Sequence, residues 1–570
     1  MAKGFRLGPW TVEPSLNSIS SEDHTTHVQP KVMQVLLHLA ERSREVVTKE
    51  ELIRAVWADT FVTDDVLTRA ISELRRVFGD DSKEPRFIQT IHKSGYRLIV
   101  PVEIRHLDSR IGSLAVLPLA HDGGEPDLEY LADGLTECLI NSLSQLPQVR
   151  VLARSVVFRY KETKLDAREV GRELNIDAVF TGRVVQQGDN LKIVVELVDV
   201  RQGWQLWGKQ LTLRWAEIFE VEEGIAEDIA SALHLRLFGE GRKPIVRRHT
   251  ADMQAYRLFI RARYLWHQGT EASVRQAIGL FEQAIAQDPN FALAYAGLAE
   301  SYSFLGCQVD YGSLPPSEAG PKAEAAARKA LELDDNLAPA HSSLASVTKN
   351  FHWNWKEAER EFRRAIALNP QYPKARQSYA DLLAALGRME EAIGEIERAH
   401  ELDPFSATIN TDAGNISYLA RNYDGAIQRL RLTLDLQPDY VPAHTLLGLV
   451  YERVGSQAEA RAEFETALGL CHNSELPAAV VGRAVAVGNP SSRGGVEELR
   501  ALAQQRYVPA CWFAAAYIRL GQTDSAFEWL EKAYAERSNW LIYLRVDPLF
   551  DPLRSDPRFQ ELVGRMNFPP

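Results

Sequence analysis

Cysteine is scarce in this chain: four in 570 residues, at 138, 307, 471 and 511, with no two at a metal-ligand spacing. That density excludes a disulfide framework, and the four are expected to be reduced and mostly buried. Long apolar runs are missing as well. The nearest, LPAAVVGRAVAVG, is interrupted by Arg483 and falls short of the roughly 18 residues that a membrane span needs. The amino terminus, MAKGFRLGPW, carries charges with no apolar stretch behind them. No export signal is visible, so a cytoplasmic protein without membrane contact is expected. A basic excess is lacking too. With a formal net charge of −12, any contact with nucleic acid must come from a small local surface.

The chemistry-bearing motifs are also absent. The glycines of HDGGEPD and GNPSSRGG match neither a phosphate-binding loop nor a dinucleotide turn. No histidines stand four apart around a glutamate, and no serine sits in a nucleophile elbow. Asp133 and Glu137 lie one turn apart on a predicted helix, a spacing that could serve acid/base chemistry. A solvated helix face is the commoner meaning of that spacing. No catalytic residue, cofactor or metal site is therefore expected.

What remains is modular. A length of 570 residues suggests three to five domains, and 45% apolar with 25% charged residues is ordinary for soluble globular chains. The segment DDVLTRAISELRRVFGDD, 64–81, shows how a locally basic surface arises in an acidic chain. At about 100° per residue, Leu67, Ala70, Ile71, Leu74, Val77 and Phe78 share one face. Asp65, Thr68, Arg69, Ser72 and Arg76 share the other, with Arg75 at its edge. Arg69 and Arg76 stand about 10 Å apart along the axis, a span that suits a DNA major groove.

The first 105 residues read as short strands (FRLGPWTV, NSIS, THVQ), then three helices near Pro30–Ser43, Thr48–Trp57 and Asp65–Phe78. A hairpin, RFIQTIHKSGYRLIV, closes the segment. QPKVMQVLLHLAER, VVTKEELIRAVW, VLTRAISELRRVFGDD and FIQTIHKSGYRL, in that order, resemble the OmpR/PhoB-type winged helix-turn-helix in its CadC-like and ToxR-like variant, here without a membrane span. The resemblance implies a third helix in the major groove of double-stranded DNA and a wing near the minor groove. It assigns DNA contact to Thr68, Arg69, Ser72, Arg75 and Arg76 on the helix and to Lys93, Tyr96 and Arg97 on the wing. These types fit, because arginine bonds guanine edges or phosphate and hydroxyls bond either. Acidic and basic residues roughly balance in this segment, so one copy should bind weakly and a homodimer or tandem sites would add affinity.

Residues 110–240 read as an α/β sandwich: SLAVLPL as a buried strand, DLEYLADGLTECLINSLSQL as a helix, and DAVFTGRVVQQGDNLKIVVELVDV as a hairpin turning at Gly188, Asp189 and Asn190. A strand at GWQLWGKQLTL and a helix from about Trp215 to Leu237 complete it. VLPL, YLADGLTE, VLARSV and AVFTGRV resemble the amino-terminal domain of TolB. That protein's periplasmic location does not carry over to a chain with no visible export signal.

From 250 to 570 the sequence repeats. Ala358, Ala392, Ala426 and Ala460 recur every 34 residues, as do Pro370, Pro404 and Pro438, while Phe362, Ile396, Leu430 and Phe464 follow each alanine by four. A period of 34 with a closing proline is the tetratricopeptide pattern, so an all-α superhelix of about eight units is predicted. One unit near 476–508 is degenerate, CQVDYGSLPPSEAG is an insert, and the last segment, from WLIYLRVDPLF onward, is a cap. The groove is expected to bind a protein or peptide through Lys374, Gln377, Asp381, Thr411, Asn415, Thr445 and Glu452. The whole reads as a one-component DNA-binding transcriptional regulator whose repeats sense a partner. The alternative is a tetratricopeptide scaffold in which the winged helix docks proteins.

Overall fold

The computed structural model describes residues 5–14, 18–21, 25–57, 62–92, 94–104, 111–122, 126–144, 146, 149–161, 163, 165–187, 190–214, 224–225, 228–229, 250–307, 314–470 and 494–569. The chain divides into two compact units, Met1–Arg110 and Ile111–Pro570.

In the first unit, β1 (Phe5–Leu7), β2 (Trp10–Glu13), β3 (Ser18–Ser20) and β4 (Thr25–His27) form an antiparallel sheet, which β8 (Val102–Ile104) joins beside β1. Helix α1 (Pro30–Glu41) starts on a proline, tolerated there because the first helical amides have no intrahelical acceptor. Helix α2 (Lys49–Val56) is fixed by a capping box: Thr48 accepts from the Glu51 amide, and the Glu51 carboxylate accepts from Thr48. Helix α3 (Asp64–Phe78) ends at Gly79, whose φ of 59° gives the left-handed cap. The Gly79 amide bonds Arg76 O and the Asp80 amide bonds Arg75 O. Strands β5 (Val47–Thr48), β7 (Gly95–Leu98) and β6 (Ile88–Ile91) pair in that order as the wing. Gly95 is required there, since a Cβ would lie 2.1 Å from Val47 O on the neighbouring strand.

The second unit opens with a mixed sheet ordered β11-β9-β12-β13-β14, from β9 (Ser113–Val116), β10 (Ala120–Asp122, beside β12), β11 (Arg150–Val151), β12 (Ala178–Gln187), β13 (Asn190–Asp199) and β14 (Gln205–Arg214). Strict alternation of buried residues along β13 follows from one covered face. The expected hairpin is β12–β13, although Gly188 and Asp189 lie outside the described residues. So does most of the expected helix 215–237; its Ile225 and Ile229 are buried. Helix α4 (Pro126–Leu143) packs on the sheet, with α5 (Arg154–Val157) and α6 (Ala167–Glu173) nearby.

Seven helical hairpins follow among the described residues: α7 (Met253–His267) with α8 (Glu271–Gln287), α9 (Ala292–Cys307) with α10 (Pro316–Leu333), α11 (Ala338–Val347) with α12 (Trp355–Leu368), α13 (Pro373–Ala385) with α14 (Met389–Leu402), α15 (Ala407–Leu419) with α16 (Tyr423–Leu436), α17 (Val441–Val454) with α18 (Gln457–Leu470), and α20 (Ala510–Arg519) with α21 (Thr523–Ala535). Helix α19 (Gly494–Ala503) precedes the last pair and α22 (Pro557–Arg565) ends the chain. The degenerate unit falls largely outside the described residues. All four period-34 alanines have no exposed surface, and Phe362, Ile396, Leu430 and Phe464 are buried beside them. Gly448 shows why small residues recur: a Cβ there would lie 2.6 Å from the Phe464 ring.

The middle sheet and the first hairpin share one core. Leu114, Phe180 and Leu135 belong to the same buried cluster as Phe259, Phe281 and Phe291. At Gly134 of α4 a Cβ would fall 2.3 Å from Ile260 of α7. Further along, Gln371 donates to Leu146 O and Val149 O and accepts from the Val151 amide. Residues 111–570 are thus one body by packing.

Candidate nucleic-acid interface and repeat groove

Helix α3 separates its faces as its periodicity requires. Leu67, Ala70, Ile71, Leu74 and Phe78 are buried, Val77 is partly so, and Asp65, Thr68, Arg69, Ser72 and Arg76 are exposed. The Thr68 and Ser72 hydroxyls donate back to the Asp64 and Thr68 carbonyls, which leaves their oxygen lone pairs outward. Arg75 does something else: its Nη2 donates to Ile88 O and Thr90 Oγ1, both at 2.8 Å, so it braces the wing against the helix. The sequence did not single out Asp80. Its carboxylate accepts the amides of Arg86, Phe87 and Ile88 and so fixes the connection from α3 to the wing. The signal was available, an aspartate directly after a helix-ending glycine.

On the wing, Arg97 donates to Gln89 Oε1 at 2.7 Å and is half-buried. Tyr96 corrects the expectation of a wing contact. It is 5% exposed, because alternation along β7 turns Tyr96 and Leu98 into the core and Arg97 away from it. Lys93 lies outside the described residues.

In the repeats, the groove is partly filled by the chain's own carboxyl-terminal segment. Tyr543 and Lys349 both donate to Asp381, Asn539 Nδ2 donates to Cys307 O, and Tyr418 donates to Asp547 at 3.2 Å. Arg421 grips Asp551 with two bonds, at 2.9 and 3.0 Å. Four expected partner contacts are corrected by burial or by pairing within the chain. Thr411 and Thr445 are buried, the latter donating to Val441 O, and Glu452 is paired with Arg519 at 3.0 Å. Gln377 is buried too and donates to Asp412 at 2.6 Å. Asn415 is half-buried. Lys374 and Asp381 line a cleft of about 210 Å3.

Asp133 and Glu137 are a further correction, because neither lies on a solvated face. Both are buried in the junction between α4 and the first hairpin. Lys161 donates to Asp133 at 2.7 Å. Arg263 donates to Glu137 at 2.7 Å and to Glu300 at 2.8 Å, and His267 meets Glu137 at 2.9 Å. Burial works against charge on Glu137, yet His267, Arg263 and Arg154 hold its carboxyl well below the usual range. Burial also pushes His267 down to about 4, so near neutral pH the ring is uncharged and donates Nε2–H to Glu137. These carboxylates are spent on structure.

Cys138 and Cys307 are half-buried and Cys511 is buried, none of the three in a disulfide, and Cys471 lies outside the described residues. Among the described residues, no cluster of acidic, histidine or cysteine side chains could hold a metal ion. Nor is any helix there long and apolar enough to cross a membrane.

Four family models match along the chain. Residues 23–98 match "Transcriptional regulatory protein, C terminal", residues 109–227 match "HilA/YgeH-like transcriptional regulator, second domain", and residues 354–409 and 411–475 match tetratricopeptide repeats. The likeness of the middle segment to TolB is not confirmed; its match is the HilA/YgeH-like domain. The chain is 27% identical to the transcriptional regulator HilA of Salmonella typhimurium over 419 residues, 72% of this chain and 73% of that protein. It is 42% identical to the transcriptional activator CadC of Escherichia coli over 98 residues, 17% of this chain and 19% of the relative. A putative adenylate cyclase 3 of Rhizobium meliloti is 32% identical over 187 residues, 33% of this chain and 32% of that one. With a folded winged helix at one end and stacked hairpins at the other, the chain is a DNA-binding transcriptional regulator with tetratricopeptide repeats.

Proposed function

We propose that the protein is a one-component regulator whose helix α3 enters the major groove through Thr68, Arg69, Ser72 and Arg76. Arg75 braces the wing, and Arg97 and Lys93 are assigned to the adjoining phosphate backbone. The reading is carried by one observation: two arginines a helical span apart lie exposed on a helix whose opposite face packs into the core. Arginine suits both guanine edges and phosphates. The body formed by residues 111–570 receives the cue through the part of the repeat groove left open by the carboxyl-terminal segment, and it performs no catalysis. A cytoplasmic location and a homodimer on DNA complete the proposal, since one small basic face supplies limited affinity.

Binding of the full-length protein to promoter fragments across a salt series tests it. A steep negative slope of log K against log salt is expected, and Arg76→Ala should flatten it by about one unit. Unchanged binding and slope in that variant would favour a scaffold in which the winged helix docks proteins.

A further inference from the structure

The cleft in the repeat groove is built from several elements. Its walls include Trp266 of α7, Ser303 and Phe304 of α9, Ser343 of α11, Lys374 of α13 and, from the carboxyl-terminal segment, Asn539. A π-helical turn, Thr348–His352, carries Lys349 and Asn350 into it. Such turns are rare, and they occur often at functional sites.

Several buried polar atoms along these walls have no hydrogen-bond partner within the protein: Trp266 Nε1, Ser303 Oγ, Ser343 Oγ, Asn350 Oδ1 and Asn539 Oδ1. Ser343 is 4% exposed and Asn350 6%. Buried polar groups in folded proteins are nearly always satisfied, so a cleft that collects this many is shaped for a polar occupant. Its volume of about 210 Å3 holds the equivalent of about seven waters at roughly 30 Å3 each, which is the scale of a free amino acid.

The charges select further. Lys349 is neutralised by Asp381, and Glu300 by Arg263. That leaves Lys374, exposed and in a loose 3.5 Å contact with Gln377, and Asp412, which accepts from Gln377. Burial, then the neighbouring Asp381 carboxylate, pushes Asp412 up to about 6, outweighing the pull of Lys374 and Lys349. The two unpartnered amide oxygens ask for N–H donors on the same side of the chemistry.

We propose that this cleft binds a small zwitterion of amino-acid size, its carboxylate received by Lys374 and its ammonium by Asp412 and the amide oxygens of Asn350 and Asn539. A singly charged ligand would leave one of the two ionic partners without a counterpart. A neutral sugar would satisfy the hydroxyls and leave both. That the bound zwitterion is the regulatory cue rests on the proposed function; that it binds does not.

Calorimetric titration of the full-length protein with each of the twenty L-amino acids, and with succinate, butylamine and glucose, tests the site. At least one amino acid should bind, with the three other probes weaker by about tenfold or more. Lys374→Ala and Asp412→Asn should each weaken that binding by about tenfold while thermal unfolding stays near that of the parent. Lys322→Ala, on the exposed face of α10, should leave it unchanged. Absence of binding by every amino acid, equal binding of glucose or succinate, or unaltered affinity in Lys374→Ala would overturn the proposal. Promoter binding measured with and without the amino acid separates the two readings. Loss of DNA binding in all conditions with the titration intact would defeat only the regulator reading. Failed titrations with salt-sensitive DNA binding would defeat only the zwitterion site.

Discussion

Helices α3 and α4 carry the same kind of sequence signal and use it in opposite ways. Each is amphipathic, and each places ionic side chains on one face: Arg69 and Arg76 on α3, Asp133 and Glu137 on α4. On α3 the charges stay in solvent, on a face that is exposed among the described residues. On α4 they are buried against Arg263, His267, Arg154 and Lys161, which come from up to 130 residues away. An ionic helix face thus has no meaning until its counter-charge is located. Where the counter-charge is within the chain, the face is a weld. Where none is present, the face is a candidate for an external polyanion.

The strongest way to break this contrast is to remove one partner from the weld. Glu137→Ala takes the nearest carboxylate from the buried Arg154 and leaves Arg263 with Glu300 alone, and unfolding in urea should show a loss of about 3–5 kcal/mol. A loss below about 1 kcal/mol would mean that the junction is solvated after all. Arg75→Ala lies between the extremes. It gives up two bonds to the wing and should cost the first unit about 1–2 kcal/mol, together with a drop in DNA affinity larger than one phosphate contact accounts for. Arg69→Ala, on the open face, should change stability by no more than about 0.5 kcal/mol and reduce the salt slope of DNA binding by about one.

Acid sharpens the same contrast. His267 stays neutral in the fold down to about 4, whereas in the unfolded chain it takes up a proton near 6.5; Glu137 is held below its ordinary value. In both cases the unfolded chain binds more protons, so stability falls as pH drops, first below about 6.5 and then below about 4.5. Amide protection factors, which allow for the slower intrinsic exchange in acid, should therefore fall at pH 5 relative to pH 7 in 131–143 and 255–265 ahead of 67–78. The smallest effect has the opposite sign. His444 donates to Glu463 at 2.6 Å and to Pro438 O at 2.9 Å, and the bond to Glu463 raises its pKa. That contribution is complete below about 6.5 and is lost as pH rises through the folded value, which titration of the His444 ring by NMR reads directly.

Local order was legible in the sequence because it is set by local physics. Helix α3 was expected from 65 to 78 and runs from 64 to 78, Thr48 caps α2 as the Thr48–Glu51 spacing implied, and the period of 34 marks the buried alanines. Remote pairing was not legible. Nothing near Glu137 announces Arg263, and nothing near Glu452 announces Arg519. Tyr96 was misplaced for a smaller reason: a two-residue period has two phases, and the loop before β7 sets which one faces inward.

The return of the last residues onto earlier repeats changes how such an array can form. Trp355 donates to Met566 O and stacks on Phe568, more than two hundred positions later in the chain. Stacked hairpins would ordinarily assemble progressively as they leave the ribosome, each resting on the one before. Here Asn539 and Tyr543 must leave the tunnel before they can reach seats at Cys307 and Asp381, formed 232 and 162 residues earlier. Maturation of the groove therefore waits for this late segment, and a ribosome stalled before it would yield a stack with its inner surface still open.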